Sequence, residues 1–189
     1  MKLKLLFLAV LFVTTAGSIA AQDAKAGEES SKLNNKTDYS KDHESIDSII
    51  KATYDVISGP KNQERDWDRF RALFYTGARL IPSGKGQDGV IRAQTNGPDD
   101  YIKRSEPFLL KNGFFEQEIA RKSEVFANLA HVFSTYEGRN NLDDEKPFLR
   151  GINSFQLLND GKRWWILTIF WMAESKENPI PQEYLINKD

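Results

Sequence analysis

Beyond Gly113 the chain is built from four segments: "FFEQEIARKSEVFAN", "AHVFSTYEGR", "GINSFQLLN" and "RWWILTIFWMAE". They are rich in β-branched and aromatic residues and alternate with a period of two, which is the pattern of strands whose successive side chains point to opposite faces. Asn159-Asp160-Gly161-Lys162 separates the last two, and Asp-Gly supplies positive φ readily, so a hairpin is expected there. A meander of four long strands must bury one face against something else in the chain.

The covering elements precede Gly113. Ile46, Ile49, Ile50, Thr53 and Ile57 follow helical spacing, with Ser40 or Asp42 as candidate cap and Ser58-Gly59-Pro60 as stop. A second helix places Trp67, Phe70, Leu73 and Phe74 on one face. A short strand is expected over 78–81. A third helix starts at Asn96-Gly97-Pro98-Asp99-Asp100, where proline suits the first turn and the acids suit the dipole. Its buried stripe is Tyr101, Ile102, Ser105, Phe108 and Leu109, and Asn112-Gly113 closes it. The expected architecture is α+β: a strongly curved antiparallel sheet wrapped around about three helices.

The N-terminus has a different grammar. Lys2 and Lys4 precede an apolar run from Leu5 to Val13, then small residues to Ala21. The run is too short to span a bilayer, so residues 1–22 read as a signal peptide, and the mature chain is expected in the periplasm or outside the cell. Residues 23–41 are polar enough to form a flexible spacer, and Asn35-Lys36-Thr37 within it is a chance match to a glycosylation acceptor. The domain is expected over 42–176, followed by a tail over 177–189. With no cysteine there is no disulfide framework. The 26 Lys and Arg against 27 Asp and Glu leave no basic footprint for nucleic acid, and no later segment suits a membrane.

"DWDRFRALFYTGARLI", "EIARKSEVFANLAHVFSTYEGR" and "RGINSFQLLNDGKRWWILTIFW" together resemble the nuclear transport factor 2-like superfamily, in particular its small SnoaL-like secreted bacterial members. The resemblance runs from Asp42 to Glu174. It implies a cone in which helices close over a bent, cystatin-like α+β sheet, a pocket open at one end, and pairing of two copies through the outer sheet face.

The cone hosts many activities, so function rests on the site. The resemblance implies an Asp base near the first short strand for ketosteroid isomerase chemistry; Ala78 to Ser83 holds no carboxylate. Epoxide hydrolases of this fold and SnoaL-like cyclases also use Asp. Asp143, Asp144 and Asp160, the acids of that type in the meander, fall in expected loops. Scytalone dehydratase uses His, Tyr and Asp, but His131 and Tyr136 are five apart on one strand and so lie on opposite faces.

Along 126–139, Ala130, Val132, Ser134 and Tyr136 are placed toward the cone, and His131 and Phe133 on the outer face as an interface. His43 is the other histidine, too isolated to make a metal cluster. Glu116, Glu118 and Ala120 share one face of the preceding strand, with Gln117, Ile119 and Arg121 on the other. Candidate acid or base residues are Glu118, Tyr136 and His131, with Glu118 ranked first among the carboxylates. Candidate ligand contacts are Ser134, Tyr136, Glu118 and Asn153; Asn153 and Gln156 straddle the sheet. Trp164, Trp165, Phe170 and Trp171, with Phe114, Phe115, Phe126, Phe133 and Phe155, supply core and an aromatic cone lining. Gly84-Lys85-Gly86 is a loop and not a nucleotide motif. No cofactor is expected. Three functions remain open: an exported binder of a small apolar or amphipathic ligand, a lyase or isomerase using a pocket Glu, Tyr or His, and a homodimeric protein-interaction domain acting through the sheet face.

Overall fold

The computed structural model describes residues 37–186. The expected signal peptide, the Asn35 acceptor and the spacer up to Lys36 lie outside the described residues. The compact unit begins at Tyr39. A 3-10 turn over Ser40–His43 precedes α1 (Ile46–Ile57). That turn takes both expected caps out of the helix. Ser45 caps α1 instead, its hydroxyl accepting from the Ser48 amide at 3.0 Å, while Asp42 accepts two hydrogen bonds from Arg69 at 2.7 and 2.9 Å. The expected isoleucine stripe faces the core, where Ile49 and Ile50 are fully buried. Burying a side chain of that size contributes about 1.5–3 kcal/mol.

The connection after α1 is closed by Arg65. Its guanidinium donates to the carbonyls of Ile57 (2.9 Å), Gly59 (2.6 Å), Pro60 (3.4 Å) and Gln63. α2 (Trp67–Ala72) is capped by Asp66 and is shorter than its apolar face suggests. Leu73 caps its end and Phe74 opens β1 (Phe74–Lys85), because Phe74 pairs with Ile166 far along the chain. β1 is therefore much longer than the expected four-residue strand. It turns back into β2 (Ile91–Ala93). α3 (Pro98–Asn112) starts and stops at the expected residues, with Gly113 at φ +71° just beyond it. Ile102 and Leu109 are buried, but Phe108 stays half-exposed at the end of the stripe.

The meander is β3 (Phe115–Phe126), β4 (Leu129–Arg139), β5 (Leu149–Asn159) and β6 (Trp164–Ala173). The turn before β6 follows the Asp-Gly signal: Gly161 has φ +90°, and Asp160 accepts from the amides of Lys162 and Arg163 at 2.9 Å each. The sheet order is β2-β1-β6-β5-β4-β3. All neighbours are antiparallel except β1 and β6, which run parallel, so the sheet is mixed. The helices cover its concave face and form one core with it.

One irregularity decides where side chains point. β3 pairs Glu118 with Tyr136 and then Ala120 with Thr135, so Ile119 is an extra residue, a β-bulge. Beyond it the alternation reverses. Arg121 joins Glu116 and Glu118 on the concave side, paired with Ser134, while Ala120 crosses to the convex side with Thr135. The uninterrupted alternation read from the sequence placed Arg121 and Ala120 the other way round. The convex side is partly roofed by the chain's own C-terminal segment. Thr135 donates its hydroxyl proton to the Tyr184 carbonyl at 2.6 Å, and the Tyr184 ring stacks on Phe133 with centroids 5.6 Å apart.

Candidate functional site

Between the helices and the concave face lies a cavity of about 150 Å³. Thr53 and Ile57 of α1, Phe70 of α2 and Tyr101 of α3 form one wall. Leu80, Phe114, Leu149, Phe155, Ile169 and Trp171 supply the other walls, which are apolar and aromatic as expected for a small-molecule pocket. Three polar residues of the sheet enter this lining: Glu116, Tyr136 and Asn153. Tyr101 packs flat on Phe70 at 5.3 Å and edge-on to Trp171 at 6.3 Å, so its ring is held on both sides.

Glu116 is the carboxyl of this lining, and its chemistry is altered. No cation among the described residues pairs with it, and its hydrogen bond from Asn153 Nδ2 is long, 3.3 Å. Burial pushes its carboxyl up to about 8, with the Asn153 bond pulling weakly the other way. The Tyr136 phenol is held above the ordinary tyrosine range, first by burial and then by the charge of Glu116. Its hydroxyl makes no hydrogen bond to another described residue, so it is free to meet a ligand. Tyr101 is raised by the same two causes, offset in part by Ser105.

Behind the cavity wall the polar groups are fully engaged. Tyr54 of α1 shares a 2.7 Å hydrogen bond with Ser134 and accepts from Asn153 Nδ2 at 3.0 Å. Ser134 donates to Glu118 at 2.6 Å, and Arg121 grips both oxygens of Glu118 at 2.8 and 2.6 Å. Arg121 also reaches Asp47 on α1.

Of the residues singled out from the sequence, Tyr136 and Asn153 line the cavity. Ser134 faces the cone but lies fully buried behind Tyr54, and Glu118 ends the buried chain at the protein surface in its ion pair. His131 is on the convex side, bonded to Ser154 at 2.9 Å and set edge-on to Phe133, away from all of these. Gln156 is exposed on that same side. Two further residues matter. Glu116, on the same face as Glu118, lines the cavity where Glu118 does not. Tyr54, four residues beyond Ile50, extends the buried stripe of α1, and that spacing is its signal in the sequence.

The chain matches no sequence-family model and no curated protein sequence. Among solved structures it is similar to a protein of unknown function with a cystatin-like fold from Nostoc punctiforme, at 11% identity and TM-score 0.52, covering 69% of this chain and 90% of that one. A second similar structure, an uncharacterised cystatin-like protein from Caulobacter vibrioides, has 13% identity and TM-score 0.50 over 70% of this chain and 89% of its own. The fold is cystatin-like. A nuclear transport factor 2-like protein of unknown function from Silicibacter pomeroyi also matches, at 13% identity and TM-score 0.47, over 68% of this chain and 92% of that chain. In the terms of this fold the cavity is the interior of the cone, and Glu116, Tyr136 and Asn153 are its polar floor.

Proposed function

We propose that the cone binds a small, uncharged, largely apolar molecule, and that the protein does so outside the cytoplasm. The observation that carries the binding reading is the free Tyr136 hydroxyl beside Glu116 in a largely apolar cavity. A cavity of about 150 Å³ suits a single ring; an apolar one of that size accepts benzene. An anionic ligand is disfavoured there, because no cation in the lining would compensate its buried charge.

The test is a screen of uncharged one-ring compounds by ligand-observed NMR, with Leu149→Trp filling the cavity wall. Compounds bound by the wild type should be released by Leu149→Trp. Binding that survives the filled cavity would refute the site. Tyr136→Phe keeps the ring and should cost roughly threefold to tenfold in affinity, the value of one net hydrogen bond. Export rests on the pattern of residues 1–22, and mass spectrometry of secreted or periplasmic protein should find a chain beginning between Ala21 and Asp23.

One observation favours a second reading, an acid–base enzyme of lyase or isomerase type. A carboxyl pushed up to about 8 is poised to exchange a proton near neutral pH. Turnover that falls about a hundredfold or more in Glu116→Gln, with ligand affinity retained, would favour the enzyme. Homodimerisation through His131 and Phe133 also stands as a proposal. It is motivated by the exposed Phe170 and half-buried Phe133 on the convex face. The contact has to accommodate Tyr184, and Phe133→Glu should convert a sedimenting dimer to monomer.

A further inference from the structure

The hydrogen bonds behind the cavity have a direction, and the direction can be read from chemistry. Glu118 is gripped by Arg121 through two charge-assisted bonds, so it is a carboxylate and only accepts. The single Ser134 hydroxyl proton is therefore spent on Glu118, 2.6 Å away. Across the 2.7 Å contact between Tyr54 and Ser134, Tyr54 must then be the donor. With its proton used, the Tyr54 oxygen can only accept from Asn153, 3.0 Å away, which requires the amide nitrogen of Asn153 to point there. That nitrogen carries a second N–H, and this one is presented to Glu116 Oε1 at 3.3 Å. Oε1 is thereby an acceptor, and the proton of a neutral Glu116 belongs on Oε2.

We propose that the ion-paired Glu118 dictates, through Ser134, Tyr54 and Asn153, that Glu116 donates into the cavity, so that with Tyr136 it selects a small uncharged molecule bearing an acceptor oxygen. This rests on the binding reading above and narrows it. Glu118, Ser134, Tyr54 and Asn153 are positioning residues: they act on the ligand through Glu116. The relay spans four elements, from Tyr54 on α1 to Glu118 and Ser134 on β3 and β4 and Asn153 on β5. It exists because the bulge at Ile119 brings Arg121 to the side of Glu118. If Ser134 is lost, Tyr54 can donate to Asn153. The amide then turns its oxygen toward Glu116, and Glu116 donates to Asn153 and no longer to the ligand.

Ser134→Ala and Tyr54→Phe test this without any ligand. In protein labelled with 13C at glutamate carboxyls, the Glu116 titration midpoint should rise in Ser134→Ala, because the turned amide accepts from the protonated acid. Tyr54→Phe also releases Asn153 and should raise it. The double variant should move it no further than Tyr54→Phe, since both act on one chain. The groups near Glu116 that could otherwise move it are Tyr54, Tyr101 and Tyr136, with Glu118 beyond Ser134, and Asp55, Arg139 and Asp144 around the outer groove that Glu116 also lines; Ser134→Ala leaves all of them in place. An unchanged or lowered midpoint in Ser134→Ala, or additive effects in the double variant, would overturn the relay. The ligand arm uses cyclopentanone, which only accepts, and pyrrole, which only donates. The wild type should prefer cyclopentanone by roughly threefold to tenfold, the value of one net hydrogen bond, and Ser134→Ala should erase the preference. Equal binding of both rings to the wild type would overturn the donor assignment. If neither ring enters the cavity, the binding reading fails, and the carboxyl titration still decides the relay.

Discussion

Gly151 lies so close to Tyr136 that a β-carbon on it would sit 2.5 Å from the phenol oxygen and 2.5 Å from the Met172 carbonyl. The two residues are direct partners across β4 and β5. The missing side chain on one strand is the space that the hydroxyl on the other occupies. Gly151→Ala should therefore act twice. Overpacking at a site that cannot yield should cost about 1–3 kcal/mol in chemical denaturation. The displaced phenol should also weaken binding of any cone ligand at least as much as Tyr136→Phe does. An alanine variant of unchanged stability would mean that Tyr136 has an alternative resting place.

Arg65 makes the second prediction. Its guanidinium is buried and donates to four backbone carbonyls, of which those of Gly59 and Pro60 also accept from the Phe114 and Gln63 amides. A Leu of similar bulk would strand the carbonyls of Ile57 and Gln63. Arg65→Leu should lose about 3 kcal/mol, since each unsatisfied buried group costs about 1–3 kcal/mol and water will recover some of them. Arg65→Lys should lose nearly as much, because one ammonium cannot match the planar fork. Urea denaturation of both variants is the measurement, and a Lys variant as stable as wild type would show that charge alone suffices.

These two residues also mark how far the sequence could be read. α3 was legible because its signals are local: Pro98 at the start, two acids in the first turn, Gly113 at the end. The facing of Ala130, Val132, Ser134 and Tyr136 was legible because β4 runs without a bulge. β1 was not legible at its true length, since Phe74 leaves a helical pattern to pair with Ile166, and such long-range pairing outweighs local propensity. The difference between Glu116 and Glu118 was not legible for a related reason. Both were correctly put on one face, but the bulge that hands Arg121 to Glu118 is set by pairing with β4 and has no glycine to announce it. An unpaired carboxyl and a paired one look the same until that neighbour is placed. Tyr54 had a local signal, its spacing from Ile50, but its partner Ser134 is 80 residues away.

His43 carries a prediction on the acid side. It is 2% exposed, accepts from Arg163 at 2.8 Å, and lies beside the Trp165 ring. Burial, then the Arg163 charge, lower its basicity; Asp42 and the Trp164 backbone work the other way. Folded His43 therefore binds a proton less readily than unfolded His43, whose midpoint is about 6.5. Above that pH both states are neutral and the contribution is full; as pH falls below it the unfolded chain gains the proton first and stability declines. Denaturation midpoints should drop between about pH 6.5 and 5, and His43→Gln should flatten that drop. A wild type insensitive to pH across this window would sink the prediction.

Glu116 predicts the opposite slope on the basic side. Its carboxyl is raised from 4.5 to about 8 in the folded protein, by burial in the cone. Between those values the folded state holds a proton that the unfolded chain has released. The stabilising contribution is thus fully present below about 4.5, decays as pH rises, and is gone above about 8. Stability should therefore fall from pH 6 to pH 9 in a way that Glu116→Gln abolishes, because the amide is neutral throughout. The same ionisation should control the site. An acceptor-bearing ligand should bind well at pH 6 and lose affinity as pH passes about 8, when Glu116 becomes a carboxylate that can no longer donate. Tyr136→Phe separates the two contributions: it should lower affinity at every pH and leave the midpoint of the pH dependence near that of Glu116. Isothermal titration of one cone ligand at several pH values measures both. An affinity that does not change between pH 6 and pH 9 would mean that Glu116 makes no hydrogen bond to what the cone holds.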